Sequence, residues 1–360
     1  MGEYARSLAI AEGVKARWPD ASILFVLSRQ APYAQSTPFQ TTLLDASPTF
    51  HSAAVSDILR TWGPDVVIFD NAGRTAQLRA AKRSGARVIF ISARRRQRRK
   101  AFRIGWMLLI DEHWIAYPQF IAGGLTFVER LKLKYLRRTQ IRYLDVILAR
   151  GGGRPRESIL SGMVGAAGRY TLVVPGGGTG HPGASDAVDR FLQAAGALAA
   201  GGVDTVFVGR AGPAYGGSVP PDAAAPAAPA ADSRGLCATA ASSRLLMIGP
   251  LPQADLAELM RGAHLIIANG GSTLLQAIAC GKPCIAVPIA GDQRERIRRC
   301  VGAGVAVAAP LDAAAIRKCA ADLLQDEEAL NALAGRAIGL GLSDGVDVAL
   351  RAMARLLESD

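Results

Sequence analysis

The sequence predicts an α/β protein built from two parallel-sheet domains. Apolar, strand-like runs alternate with helix-period segments along most of the chain. Half of the residues are hydrophobic and only 6% are aromatic, a composition that suits Ala/Val/Leu-rich α/β layers better than a β-sandwich. The length, 360 residues, is enough for two cores of ordinary size. Residues 1–150 are read as an N-terminal domain, residues 151–168, rich in Gly and Arg, as a linker, and residues 169–360 as a C-terminal domain.

In the first half, periodicity predicts helices over 3–17, 48–62 and 75–84, and strands over 22–27, 65–69 and 87–91. The chain thus opens on a helix, whereas a doubly wound domain opens on a strand, usually a central one. This order predicts that a first strand with a glycine-rich turn belongs upstream of Met1. An in-frame stop just before Met1 would refute that.

The second half restarts with "YTLVVPGGGTGHPGASDAVDRF", a strand, a glycine turn at Gly176 to Gly180 and a helix. A strand over 203–208 follows. The Pro/Ala-rich stretch 212–243 has no periodicity and is read as a mobile, peripheral loop. A strand over 245–248 and a helix over 253–262 lead into "LIIANGGSTLLQAIACGKPCIAVPIAGDQ", residues Leu265 to Gln293. This reads as a βαβ unit: strand to Ala268, helix from Ser272 to Cys280, a stop at Gly281-Lys282-Pro283, and a strand to Pro288. A further strand near 305–307 and helices from Asp312 complete the chain. Such a unit puts its turns at the carboxyl edge of a parallel sheet, where ligands bind. Gly270 and Gly271 are expected to let backbone approach a ligand, and the first helix amides suit phosphate.

Cys237, Cys280, Cys284, Cys300 and Cys319 are odd in number and lack Cys-x-x-Cys spacing, so they are read as reduced packing residues. No run approaches the roughly 20 apolar residues of a membrane span, and no signal pattern opens the chain, which predicts a cytoplasmic location. The formal charge is +12, and residues 94–142 hold 13 Lys/Arg against Asp111, Glu112 and Glu129. That concentration implies an anionic partner. Ile104 to Ile110, Trp114, Tyr117 and Phe120 interleave apolar groups with the charge, as an interfacial segment would, so a peripheral position on the inner face of a membrane is expected. No nucleic-acid recognition motif is visible.

From Pro250 to Gln293 the spacing of Pro-Gln, Gly-Gly-x-Ser/Thr, an amide position, Gly-x-Pro, Pro and Asp-Gln closely resembles the donor-binding signature of UDP-dependent glycosyltransferases. The region is also similar to the C-terminal domain of N-acetylglucosaminyltransferases that make the lipid-linked peptidoglycan precursor. The likeness covers roughly Tyr170 to Leu357 well and the first half faintly. It implies the GT-B architecture, two Rossmann-like domains with parallel sheets facing across a cleft. It further implies transfer of a sugar from a nucleotide sugar, UDP-linked, to a sugar or lipid-linked acceptor. The amides and hydroxyls at Gly270, Gly271, Ser272 and Thr273 would hold the donor diphosphate, with Gly176, Gly177, Gly178, Thr179 and Gly180 as a facing turn. Leu251 and Gln253 would flank the base, Gln276 would bond the ribose, and Asp292 and Gln293 the sugar hydroxyls. No metal and no cofactor is then needed.

Three positions depart from the family. Gln276 stands for the usual Glu, Asn269 for the usual His, and Pro250 for an aromatic that stacks on the base. The usual catalytic His, in a Gly-His-x-x-Arg context, is replaced by Glu3 in "GEYAR". A carboxylate can serve as base when its surroundings raise its proton affinity. Asp70, ending the strand "PDVVIFD", and His181 are further candidates, while His113 in "DEHW" fits packing equally. Two other readings stay open: a nucleotide-sugar hydrolase or epimerase on the same fold, and a catalytically silent scaffold subunit.

Overall fold

Strand and helix alternate as predicted in the computed structural model, which describes residues 2–31, 33–148, 153–161, 168–176, 184–209 and 244–358. The chain divides into two units, Met1–Ile147 with Ser343–Asp360, and Leu148–Leu342.

The first unit runs α1 (Gly2–Arg17), β1 (Leu24–Ser28), β2 (Gln40–Leu44), α2 (Ser52–Trp62), β3 (Val66–Asp70), α3 (Thr75–Arg83), β4 (Arg87–Ser92), α4 (Arg95–Ala101), α5 (Ile104–Met107), β5 (Glu112–Ile115), α6 (Gln119–Ala122), α7 (Phe127–Leu136) and β6 (Gln140–Tyr143). Every strand pair is parallel, in two sheets ordered β1-β2 and β3-β4-β5-β6. Strand β2 escapes the periodicity reading because Gln-Thr-Thr-Leu-Leu is short and half polar. The helix expected over 48–62 is divided, since a 3₁₀ turn at Pro48–Phe50 ends at His51 before α2 begins.

The stretch 94–142 is not a surface segment appended to a domain. It supplies β5, hydrogen-bonded to β4 on one side and β6 on the other, and a central parallel strand is covered on both faces. Trp106, Met107, Ile110 and Trp114, expected at an interface, are therefore core residues. Part of the charge is structural too. Arg98 pairs with Glu129 at 2.8 Å and donates to the carbonyls of Ala122, Gly123 and Gly124. Lys82 pairs with Asp111, Arg142 with Glu112, and Lys132 donates to the Phe102 carbonyl. Of the expected apolar stretch Ile104 and Leu108 stay exposed, and so do Phe127, Val128, Leu131 and Tyr135 on α7.

The second unit runs α8 (Arg156–Ile159), β7 (Thr171–Val174), α9 (Ala184–Ala200), β8 (Thr205–Val208), β9 (Leu245–Ile248), α10 (Gln253–Gly262), β10 (Leu265–Asn269), α11 (Ser272–Ala279), β11 (Cys284–Val287), α12 (Gly291–Gly302), β12 (Val307–Ala308), α13 (Ala313–Leu324) and α14 (Glu327–Gly339). One parallel sheet has the order β12-β11-β10-β7-β8-β9. Alternation along β10 sends Leu265 and Ile267 into a cluster with Phe191 and Leu198 of α9, Ile316 of α13 and Leu330 of α14. Each such buried side chain contributes about 1.5–3 kcal/mol. The expected linker is partly structured: Arg154 bonds Asp255 through its backbone and its guanidinium, so α8 belongs to this unit. The Pro/Ala loop 212–243 and Cys237 lie outside the described residues.

The last helix, α15 (Gly345–Leu357), corrects the domain boundary. Its Val346, Leu350 and Met353, spaced for one helix face, pack with Ile10 of α1 and with Ile91 and Trp114 of the first unit's sheet. A Cβ on Gly13 of α1 would lie 2.5 Å from Val346, so the two helices meet where a side chain is missing.

Candidate functional site

In the second unit the chain adds β8 and β9 on one side of β7, then returns to place β10 on the other. The carboxyl ends of β7 and β10 therefore flank the topological switch point, the place where α/β sheets bind ligands. Asn269 ties them together. Its Nδ2 donates to the Pro175 carbonyl at 2.6 Å and its Oδ1 accepts from the Gly271 amide at 2.7 Å. Gly176 has φ +88°, and a Cβ there would lie 1.9 Å from Asn269 Nδ2, so no other residue fits beside that side chain.

The glycine pair is required by the protein's own packing. A Cβ on Gly270 would lie 2.7 Å from Ile297 and 2.9 Å from Gln293 Cβ, and one on Gly271 would lie 2.6 Å from Asn269 Oδ1. The missing side chains make room for the protein's own. The Gly270 amide donates to Val287 O and to Gln293 Oε1, and Gln293 Oε1 also accepts from Ile289 N at 3.0 Å. Arg296 donates to the Gly270 carbonyl. Asn269 and Gln293 thus act as buried clamps, and the amides of Gly270 and Gly271 already have acceptors within the protein.

What faces outward is the start of α11. Its first amides have no acceptor within the helix, and the aligned peptides give this end a partial positive charge. Ser272 is exposed and Thr273 half-buried. One turn on, Gln276 Nε2 donates to Gln253 Oε1 at 3.1 Å, which brings the start of α10, with Leu251 just before it, beside α11. Asp292 is exposed in the first turn of α12. An anion held by the α11 start, with Gln276, Gln253 and Asp292 nearby for polar contacts, is what this edge can accommodate. Gly177, Gly178, Thr179, Gly180 and His181 lie outside the described residues.

In the first unit, Glu3 and Asp70 are brought to one sheet end but in different states. Arg6 donates to both Asp70 oxygens, at 2.5 and 3.0 Å, and Ser7 donates at 3.1 Å. Burial pushes the Asp70 carboxyl up, against the pull of Arg6 and Ser7. Asp70 anchors α1 to β3. Glu3 is exposed and accepts a 2.7 Å hydrogen bond from Asn71 Nδ2, while Asn71 Oδ1 accepts from the Ala93 amide. Asn71 has φ 53°, a left-handed conformation that Asn tolerates better than most residues. Sequence reading missed it, although Asp-Asn-x-Gly just after a strand is a signal for such a turn. His113 is no part of this edge: it is buried against Phe90 and Phe102, its Nε2 lies 2.8 Å from Ser92 Oγ, and burial followed by the charge of Arg98 lowers its pKa to about 3.

Residues 238–338 match the family model of "Glycosyl transferases group 1". No curated protein matches the sequence. Solved structures share the fold at low identity. Phytolacca americana UGT2, complexed with UDP-2fluoro-glucose and pterostilbene, has a TM-score of 0.64 at 14% identity, over 98% of this chain and 96% of that one. The spinosyn forosaminyltransferase SpnP has a TM-score of 0.62 at 13% identity, over 97% and 95%. A UDP-N-acetylglucosamine 2-epimerase has a TM-score of 0.56 at 16% identity, over 97% and 91%. The chain therefore has the GT-B fold, two Rossmann-like units with parallel sheets.

Proposed function

We propose that this GT-B protein is an inverting glycosyltransferase that needs no metal and uses a nucleotide sugar, UDP-linked. The donor binds at the α11 end of the second unit, and the acceptor is held by the first. The observation that carries this reading is the Asn269-clamped switch point opening into α11, inside the segment that matches the glycosyltransferase family model. As the acceptor oxygen bonds the anomeric carbon, the bond to the diphosphate breaks, and the charge left on the phosphate is stabilised by the first amides of α11 with Ser272 and Thr273. A base must take the acceptor's proton, and Glu3 is an exposed carboxylate at the ligand edge of the first unit.

The acceptor is read as lipid-linked, in envelope or exopolysaccharide synthesis, with the protein peripheral on the inner membrane face. Phe127, Val128, Leu131 and Tyr135, exposed on α7 among Arg130, Lys134, Arg137 and Arg138, suit an anionic lipid surface. No helix among the described residues is long and apolar enough to cross a membrane. Thermal unfolding titrated with UDP, GDP, dTDP and their sugars tests the donor site. Binding to the folded state at about 100 times Kd adds about 2.7 kcal/mol, so a shift selective for uridine nucleotides is expected. No shift with any nucleotide would overturn the reading.

The epimerase similarity supports a second reading, a nucleotide-sugar epimerase or hydrolase. Release of free sugar or of an epimerised donor without acceptor would favour it.

A further inference from the structure

A group of cations stands at the carboxyl edge of β3 and β4, close to Glu3, and the donor site makes no use of it. After β3 the chain turns through Asn71 and Gly73 into α3, and Arg74 precedes that helix. The Arg74 guanidinium is held in place: its Nε donates to the Thr49 carbonyl at 3.2 Å, and its carbon lies 5.7 Å from the Phe50 ring centre. Lys100, on α4 after β4, donates to the Gly73 carbonyl at 2.8 Å and lies 4.2 Å from the Trp106 ring centre. Trp106 is itself fixed by its hydrogen bond to Thr75 Oγ1. Two positive groups, the side chain of Arg74 and the Lys100 ammonium on the Gly73 carbonyl, are thus held near one turn by neutral partners. Arg96 stands one turn before Lys100 on α4, and Arg103, three residues after Lys100, donates its amide to the Lys100 carbonyl at 3.1 Å. Among the described residues none of the four forms an ion pair with a carboxylate, whereas their neighbour Arg98 is paired with Glu129. Partial burial, then the charges of Arg74, Arg103 and Arg96, lower the Lys100 pKa. Like charges held together without a counterion are unfavourable, and an anion relieves that cost.

We propose that Arg74, Lys100, Arg96 and Arg103 form a phosphate-binding site at the acceptor edge of the first unit. The acceptor is then a hydroxyl compound that carries a phosphate close to the reacting oxygen. This rests on the glycosyl-transfer reading for the word acceptor; the phosphate site stands on its own geometry. Guanidinium forks match phosphate oxygens bidentately, and Lys adds a point charge. Glu3 reaches Asn71, two residues before Gly73, which puts the candidate base beside the site. The phosphate could belong to a soluble sugar phosphate or to a lipid phosphate presented by a membrane, and the same cations would read either.

Calorimetric titration of the full chain at moderate salt tests this. The probes are glucose 1-phosphate, methyl glucoside, and phosphatidylcholine vesicles with and without a polyprenyl monophosphate. The triple variant Arg74→Gln, Arg96→Gln, Arg103→Gln is compared with Arg83→Gln, Arg317→Gln, Arg351→Gln, which removes the same charge from exposed positions on α3, α13 and α15. Lys100 is left intact because it also braces Trp106. Saturable binding of the phosphate ester but not of methyl glucoside, weakened about tenfold or more by the first set and little by the second, is expected. Binding of the vesicle phosphate alone, with the same dependence on variants, would assign the lipid source. Equal weakening by both sets would mean diffuse charge attraction and would overturn the site, as would no binding to either phosphate. UDP titrated in parallel separates the two readings: UDP binding without phosphate binding removes this site and leaves the donor reading, and the reverse removes the donor reading only.

Discussion

At the scale of single residues, two buried polar side chains near strand ends, His113 and Asn269, hold structure together. His113 is buried and neutral, with its pKa lowered to about 3 by burial and by Arg98, against the ordinary 6.5 of an exposed imidazole. Between those values the unfolded chain binds the extra proton and the folded one does not. Its stabilising effect is therefore complete above pH 6.5 and is lost as pH falls, by about 1.4 kcal/mol per unit, until pH approaches 3. His113→Gln, which can keep the bond to Ser92, is expected to flatten the stability profile of the first unit between pH 4 and 6; an unchanged slope in urea titrations would refute this. Asn269 carries the analogous load in the second unit. Asn269→Ala removes one donor and one acceptor and leaves the Pro175 carbonyl and the Gly271 amide unpaired, at about 1–3 kcal/mol per buried group. Nucleotide-induced stabilisation should weaken with it, since the turn before α11 loses its brace. The sequence puts Asn269 at the strand end, but its bracing role was not legible there, because the carbonyl it binds, Pro175, follows β7, far away in the chain.

At the scale of elements, α1 shows how a helix is fixed to a sheet end by charge as well as by packing. Ile10 anchors one side in the apolar cluster, while Arg6 and Ser7 hold Asp70 at the end of β3. Breaking a buried pair by removing one partner's charge leaves the other stranded, a cost of about 3–5 kcal/mol. Asp70→Asn is therefore expected to lower the melting temperature of the first unit and to free the first turn of α1, measurable as faster amide exchange around Arg6. If Asp70 were the base instead, the variant would lose activity while keeping stability. Most elements were legible from hydrophobic period alone, since runs such as Leu-Ile-Ile-Ala-Asn and Val-Val-Ile-Phe-Asp admit few other readings. Strand β2 was not, and β5 was mistaken for an interfacial segment. Trp and Ile beside arginines look the same in sequence whether the apolar groups enter a core or a membrane; only pairing with β4 and β6 decides it.

At the scale of the whole chain, the boundary error at α15 is the informative one. The spacing of Val346, Leu350 and Met353 shows that a helix has an apolar face, but nothing in the spacing says which core receives it. Contact with α1 at Gly13 does, and it makes the first unit discontinuous in sequence. Burial of those three side chains contributes about 5–9 kcal/mol at 1.5–3 kcal/mol each, comparable with the whole stability of a domain. A chain ended at Leu342 is therefore expected to lose cooperative unfolding of the first unit, with Ile10 and Trp114 exposed to water. The second unit keeps its sheet, its Asn269 clamp and the start of α11, so its unfolding transition and the shift that UDP produces in it should survive. Calorimetry of the shortened chain with and without UDP separates the possibilities: one remaining, nucleotide-sensitive transition means that donor binding is a property of the second unit alone. Loss of both transitions would mean that the units fold as a single cooperative block, and donor binding would then have to be assigned to the intact chain.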